Sequence, residues 1–137
     1  MKVTGLIIAI CVMAVPAAAT WRPEYSKSPP SVQQWFKEAP VTAAGQRRLG
    51  FKNCCDQSDR FDTQFRVDRA SAGDSWYFRD DKGNWQRIPD DVIHDDEIHA
   101  AKAEDDALPE FEQMRREGVL FIYGGRPTCF WPPQGAG

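Results

Sequence analysis

The spacing of apolar positions changes several times along this chain, and each change marks an element. Val32, Trp35 and Phe36 recur at i, i+3 and i+4, the stripe of one helical face, so a short helix is expected from Ser31. Ser31 and Gln34 have capping-box spacing, and Pro40 stops the element. Residues 42–50 read both ways: Ala43, Ala44, Gln46, Arg47, Arg48 and Leu49 favour helix, whereas Gly45 weakens it and Gly50 would end it. After the cysteine pair the period drops to two, in "TQFRV" and then in "SWYFRDDKGNWQRIP". Two aromatic-rich runs there flank Asp81-Lys82-Gly83, a short polar loop with a glycine able to take positive φ, which predicts a bulged hairpin. A three-residue loop puts Trp76, Phe78 and Ile88 on one face and Tyr77 and Trp85 on the other.

Residues 95–107 are acidic and carry little apolar surface, so they read as an exposed excursion. In "PEFEQMRREG", Pro109 suits a first helical turn, Glu110 and Glu112 sit at the positive end, Arg115 and Arg116 at the negative end, and Gly118 supplies the stop. Phe111 and Met114 are its apolar face. "VLFIYGGRPTCFWPP" then predicts two strands joined at Gly124-Gly125 and ended by Pro132-Pro133. Helix, strands, helix and hairpin, without an alternating strand–helix rhythm, predict an α+β domain instead of a parallel nucleotide-binding sheet. The expected form is a small curled antiparallel sheet of four to six strands, at its limit an open barrel, with two or three short helices.

The N-terminal pattern concerns destination. Lys2 precedes an apolar run from Val3 to Val15, followed by Pro16 and Ala17-Ala18-Ala19, the layout of a secretory signal peptide cut after Ala19. A run of thirteen residues falls short of the ~20 a bilayer core requires. Residues 1–19 are thus assigned as signal peptide, 20–30 as an extended leader, 31–133 as one domain and 134–137 as a frayed tail, with no transmembrane segment left after cleavage. The expected location is periplasmic or secreted, in a Gram-negative bacterium. Net charge is −3 over the whole sequence, and the basic residues are scattered among acids, which argues against nucleic acid as a partner. The sixteen aromatic residues all follow the signal and can supply a core that is short of Leu and Val.

Export would place the thiols in an oxidising compartment, where those within reach pair. Cys54, Cys55 and Cys129 remain after signal removal. Adjacent Cα atoms stand ~3.8 Å apart, below the ~4.4 Å at which ordinary disulfides begin, so one of the pair is expected to join Cys129. If the segment is extended, Cys55 shares a face with Phe51 and is the favoured partner, with Cys54 as the alternative. Cys54, Cys55, Cys129, His94 and His99 have the chemistry of zinc ligands but lack the short paired spacings that pre-form half a site, so no metal is expected. Asp56, Asp59 and Asp62 lack the order of a calcium loop. His94 with Asp95 or Asp96, and with Ser71, Ser75 or a cysteine, offers the parts of a catalytic set without any motif that assembles one. No cofactor is expected.

The chain resembles a family of small exported alphaproteobacterial proteins of uncharacterised activity. The residues that carry the resemblance are Trp35-Phe36 followed by a proline, "CCD" at 54–56 with Asp59, "GNWQRIPDDVI" at 83–93 and "CFWPP" at 129–133. Members of that family carry a further cysteine after the Asp that matches Asp59; here Arg60 stands in its place. The resemblance implies export and a disulfide-supported fold, and it implies no chemistry.

Function then rests on the aromatic hairpin. Trp76, Tyr77, Arg79, Trp85 and Arg87 are the residue types that dominate binding hot spots, and they could present a flat face to a protein or a cell-envelope component. The plainer role for the same aromatics is core packing. The functional expectation is a non-enzymatic binding module. The alternative is a small metal-dependent or cysteine/histidine hydrolase built on His94 and the corner from Cys54 to Asp62.

Overall fold

The computed structural model describes residues 27–135, so the signal peptide, most of the leader and the last two residues of the tail lie outside the described residues. Among these residues the chain forms helices α1 (Pro30–Glu38), α2 (Ala43–Leu49) and α3 (Leu108–Glu117), and strands β1 (Asp59–Arg60), β2 (Phe65–Ala70), β3 (Gly73–Arg79), β4 (Trp85–Arg87), β5 (Val119–Tyr123) and β6 (Arg126–Trp131). None of the helices is long and apolar enough to cross a membrane. The α+β class is as expected, but the six strands make two three-stranded antiparallel sheets, ordered β1-β5-β6 and β2-β3-β4, and neither closes.

The sheets differ because the β5–β6 hairpin is buried on both faces. Val119, Phe121, Cys129 and Trp131 point into a core shared with Val32 and Phe36 of α1 and with Phe111 and Met114 of α3. Leu120 and Phe130 point the other way, into a second core with Trp76, Phe78, Ile88 and Val92. The β1-β5-β6 sheet is therefore a middle layer between the helices and the β2-β3-β4 sheet. This explains why "VLFIY" and "TCFW" are apolar at consecutive positions, where a strand with one wet face would alternate. Gly124 and Gly125 both have positive φ, 58° and 75°, and make the two-residue turn between these strands.

Several local readings change. α1 starts at Pro30, and its cap, Pro29, provides no side-chain hydrogen bond, so the expected Ser31–Gln34 capping box does not form. Proline suits that first turn because the missing N–H has no intrahelical acceptor there. The ambiguous 42–50 stretch is helical: Thr42 accepts from the Gly45 N–H, and Gly50 closes the helix at φ 82°. Asp59–Arg60 forms a strand, paired with Ile122 and Phe121 of β5. The acidic excursion is anchored in the core by Ile98, 2% exposed, whose carbonyl accepts from Arg115 Nη1 at 2.9 Å. Gly118, at φ 75°, turns the chain from α3 into β5 where Pro133 lies so close that a Cβ would stand 2.8 Å from its Cδ.

Cys54 and Cys129 form the disulfide, with Cα atoms 6.0 Å apart, and Cys55 is the free cysteine among the described residues. This corrects the expected Cys55–Cys129 pairing. The extended geometry behind that expectation does not exist here: Cys54–Asp56 is a turn of 3-10 helix, and in it Cys54 is the fully buried residue. The bridge closes a loop of 75 residues, worth up to ~4 kcal/mol on the chain-entropy model.

Candidate functional site

Strand register decides which of the hairpin residues can meet a ligand. Tyr77 pairs with Arg66 on β2 and with Arg87 on β4, and Arg79 pairs with Trp85, so all five point to the outer face of the β2-β3-β4 sheet. Trp76 points inward, is 8% exposed, and packs edge-on against Phe130 with ring centroids 5.5 Å apart. It belongs to the core and leaves the candidate binding set. Arg66, which the sequence reading did not single out, takes its place. Its guanidinium carbon stands 4.5 Å from the centroid of Tyr77 and 5.2 Å from that of Trp85. Only the pairing of β2 with β3 shows that Arg66 crosses to Tyr77.

The outer face is held in shape by polar contacts at its ends. Asp80 Oδ1 accepts from the backbone N–H groups of Lys82 and Asn84, and its Oδ2 accepts from Gln86 Nε2. The Gln86 contact, followed by the Asn84 N–H, holds this carboxyl below the usual aspartate range. Arg79 Nε donates to the Gly83 carbonyl at 3.2 Å, which folds it over the turn. Arg87 Nη2 donates to Asp90 at 3.2 Å. Trp85 is 39% exposed, one of three exposed large apolar side chains, with Leu108 and Tyr123, among the described residues.

A groove of about 710 Å³ adjoins this face, lined by Arg60, Phe65, Arg66 and Trp85 together with Gln113, Glu117 and Pro133. Arg66 and Trp85 border both surfaces. Charges of both signs line it: Arg60, held by Asp62 at 2.9 Å, Arg66 and Glu117.

The sulfur corner is a separate, buried cluster. A ring nitrogen of His94 and the sulfurs of Cys54 and Cys129 lie within 4.8 Å of one another, the one such group of three or more potential ligands among the described residues. His94 comes to this place because its backbone N–H donates to Phe130 of β6 at 2.8 Å, and its ring stacks on Trp131 at 3.7 Å. Nδ1 lies 3.2 Å from Asp96 Oδ1, while Nε2 is buried without a well-formed hydrogen bond, the Pro40 carbonyl being the backbone group that acts on the ring. Burial pulls the His94 pKa down, against the opposing pull of Asp96, the Pro40 carbonyl and Asp95, which favours the neutral ring. No short spacing in the sequence announces this cluster, because sheet pairing assembles it from three distant segments.

The remaining candidates do not join it. His99 is exposed, with Nδ1 on the Glu97 carbonyl. Asp56 caps its own turn through the Asn53 N–H, Asp59 lies on an exposed strand position, and Asp62 pairs with Arg60. Ser75 is on the outer sheet face beside Arg87. Cys55 is half-buried, and desolvation, with Asp59 and Asp56 adding to it, pushes its thiol up to about 11. At neutral pH it is a poor nucleophile. Compared with protein-family models, with curated proteins and with solved structures, the chain gives no match.

Proposed function

We propose that this protein is an exported, non-enzymatic binding module that holds another protein or a cell-envelope component on the outer face of its β2-β3-β4 sheet. One observation carries the reading: Arg66 lies layered against Tyr77 and Trp85 on a sheet face whose aromatics remain half-exposed. A cation over two rings is a pre-ordered platform, so little side-chain entropy is left to lose on binding. Arg79 and Arg87 extend the platform with N–H donors, and the groove beside Trp85 gives room for a chain to continue past the sheet edge. The module is read as periplasmic or secreted on two grounds: the N-terminal pattern of basic residue, apolar run and small-residue cut, and a bridge of the kind that persists in oxidising compartments.

The test uses a photo-crosslinking residue at position 75, on the outer sheet face beside Arg87, in the full chain expressed in its own compartment, with position 123 on an exposed part of β5 as the control. A specific adduct at 75, absent at 123 and weakened at least tenfold by Arg66→Ala with Tyr77→Ala, is the expected result. Identical adducts at both positions, or adducts untouched by the double substitution in folded protein, would overturn the reading. Binding to isolated cell-wall polymer, measured in parallel, separates an envelope component from a protein partner.

A further inference from the structure

The bridge that joins Cys54 to Cys129 occupies a place where three ligand atoms converge, and its opening would leave a complete half-shell for a metal. The sulfurs and a ring nitrogen of His94 lie within 4.8 Å of one another, all three residues buried. His94 is 8% exposed; Nδ1 is held by Asp96, and Nε2 is buried without a well-formed hydrogen bond, the Pro40 carbonyl being the one backbone group that acts on the ring. An imidazole fixed through one nitrogen by a carboxylate, with the other aimed at a buried site, is the arrangement that orients histidine toward a metal. We infer that the reduced form of this protein binds one thiophilic d10 cation through Cys54 Sγ, Cys129 Sγ and His94 Nε2, and that disulfide formation expels it.

The chemistry balances as a two-electron exchange. A dithiol reductant passes two electrons and two protons to the bridge, becoming a cyclic disulfide and leaving two thiols. Cation binding then releases both thiol protons, and a divalent ion with two thiolates is a neutral unit suited to a buried site. In reverse, a disulfide oxidant takes the electron pair, the two sulfurs rejoin, and the ion leaves. Thiolate and imidazole together favour Zn²⁺ and Cu⁺ over harder ions. Three protein ligands leave one position of a tetrahedral ion open to water or to the Pro40 carbonyl, whose oxygen lies 3.3 Å from Cys54 Sγ.

The full chain is reduced anaerobically with a phosphine and titrated with Zn²⁺ or Cu⁺ against a chromophoric competitor, and Co²⁺ is used to read sulfur ligation from its charge-transfer band. Reduced protein should take up one equivalent and the oxidised form none. Cys55→Ser should bind as the wild type does. Asp96→Asn, on an exposed side chain, should weaken binding roughly tenfold to a hundredfold without unfolding the chain, and His94→Ala should weaken it further. The relative strength of the Zn²⁺ and Cu⁺ arms identifies the preferred ion. If reduction loosens the fold, the added ion should restore the near-ultraviolet circular dichroism of the oxidised state. Uptake by the oxidised form, uptake unaffected by Asp96→Asn and His94→Ala, loss of uptake in Cys55→Ser, or no uptake and no recovery on reduction would each overturn the inference.

Discussion

The two sheets of this molecule have the same strand number and the same antiparallel pairing, yet they do different work. In β1-β5-β6 the hairpin is dry on both sides, with Phe121 and Trp131 against the helices and Leu120 and Phe130 against the other sheet. In β2-β3-β4 one side is dry, through Trp76 and Phe78, and the other carries Arg66, Tyr77, Arg79, Trp85 and Arg87 in water. The middle layer supplies cohesion to both cores. The outer layer has a face that cohesion does not use, and such a face is free to vary toward a ligand.

This contrast can be broken most strongly at the middle layer. Phe130→Ala removes a fully buried ring that touches both Phe65 and Trp76. It should cost about 3–5 kcal/mol in urea unfolding and loosen the two sheets together. Next comes the covalent brace: replacing Cys54 and Cys129 together by Ser should lower stability by about 2–4 kcal/mol, with the loss appearing largely through a less constrained unfolded chain. The same replacement at Cys55 should cost far less.

A smaller effect is expected at the link between α2 and the turn at Asp90–Val92, where Arg48 Nε and Nη2 reach Asp91 at 2.6 and 2.8 Å. The Arg48 hydrogen bond holds the Asp91 carboxyl below its ordinary value of 3.8. A carboxyl depressed in the folded state binds fewer protons there than in the unfolded chain, so its contribution is present above pH ~4 and fades as pH falls through the folded value. Asp91→Asn should therefore lower stability slightly at pH 7, by less than ~1 kcal/mol for so exposed a pair, seen as a small drop in melting temperature. The difference from wild type should close below pH ~4. Smallest of all, Trp85→Ala should change stability by no more than ~0.5 kcal/mol while removing the binding proposed for the outer face. A large loss of stability at Trp85 would erase the distinction between the two sheets.

How far these features could be read in advance depends on the range of the interactions that produce them. α3, with Pro109 in its first turn and Gly118 after its last, follows from local dihedral preferences, as does the Gly124-Gly125 turn. The division of Trp76, Phe78 and Ile88 from Tyr77 and Trp85 follows from strand period and a short loop, and it holds. What period does not tell is which side is wet: Trp76, of a residue type expected to bind, lies on the buried face. Arg66 was missed for a related reason, since its partners lie on β3 and β4 and only register brings them together.

The cysteines mark the boundary most clearly. Bond lengths along the chain were enough to direct the bridge to Cys129, because neighbouring residues are too close for an ordinary disulfide. The choice of Cys54 over Cys55 came from a single 3-10 turn that tucks one sulfur into the core and leaves its neighbour half in solvent. The amino-acid order by itself determined the class of fold, the helical stops, the hairpin turns and the partner of the paired cysteines, all of which rest on covalent geometry and contacts a few residues apart. The tertiary structure alone decided which aromatic face stays wet, which sulfur is bridged and that His94 lies beside it, since these depend on segments distant in the chain meeting across a buried sheet.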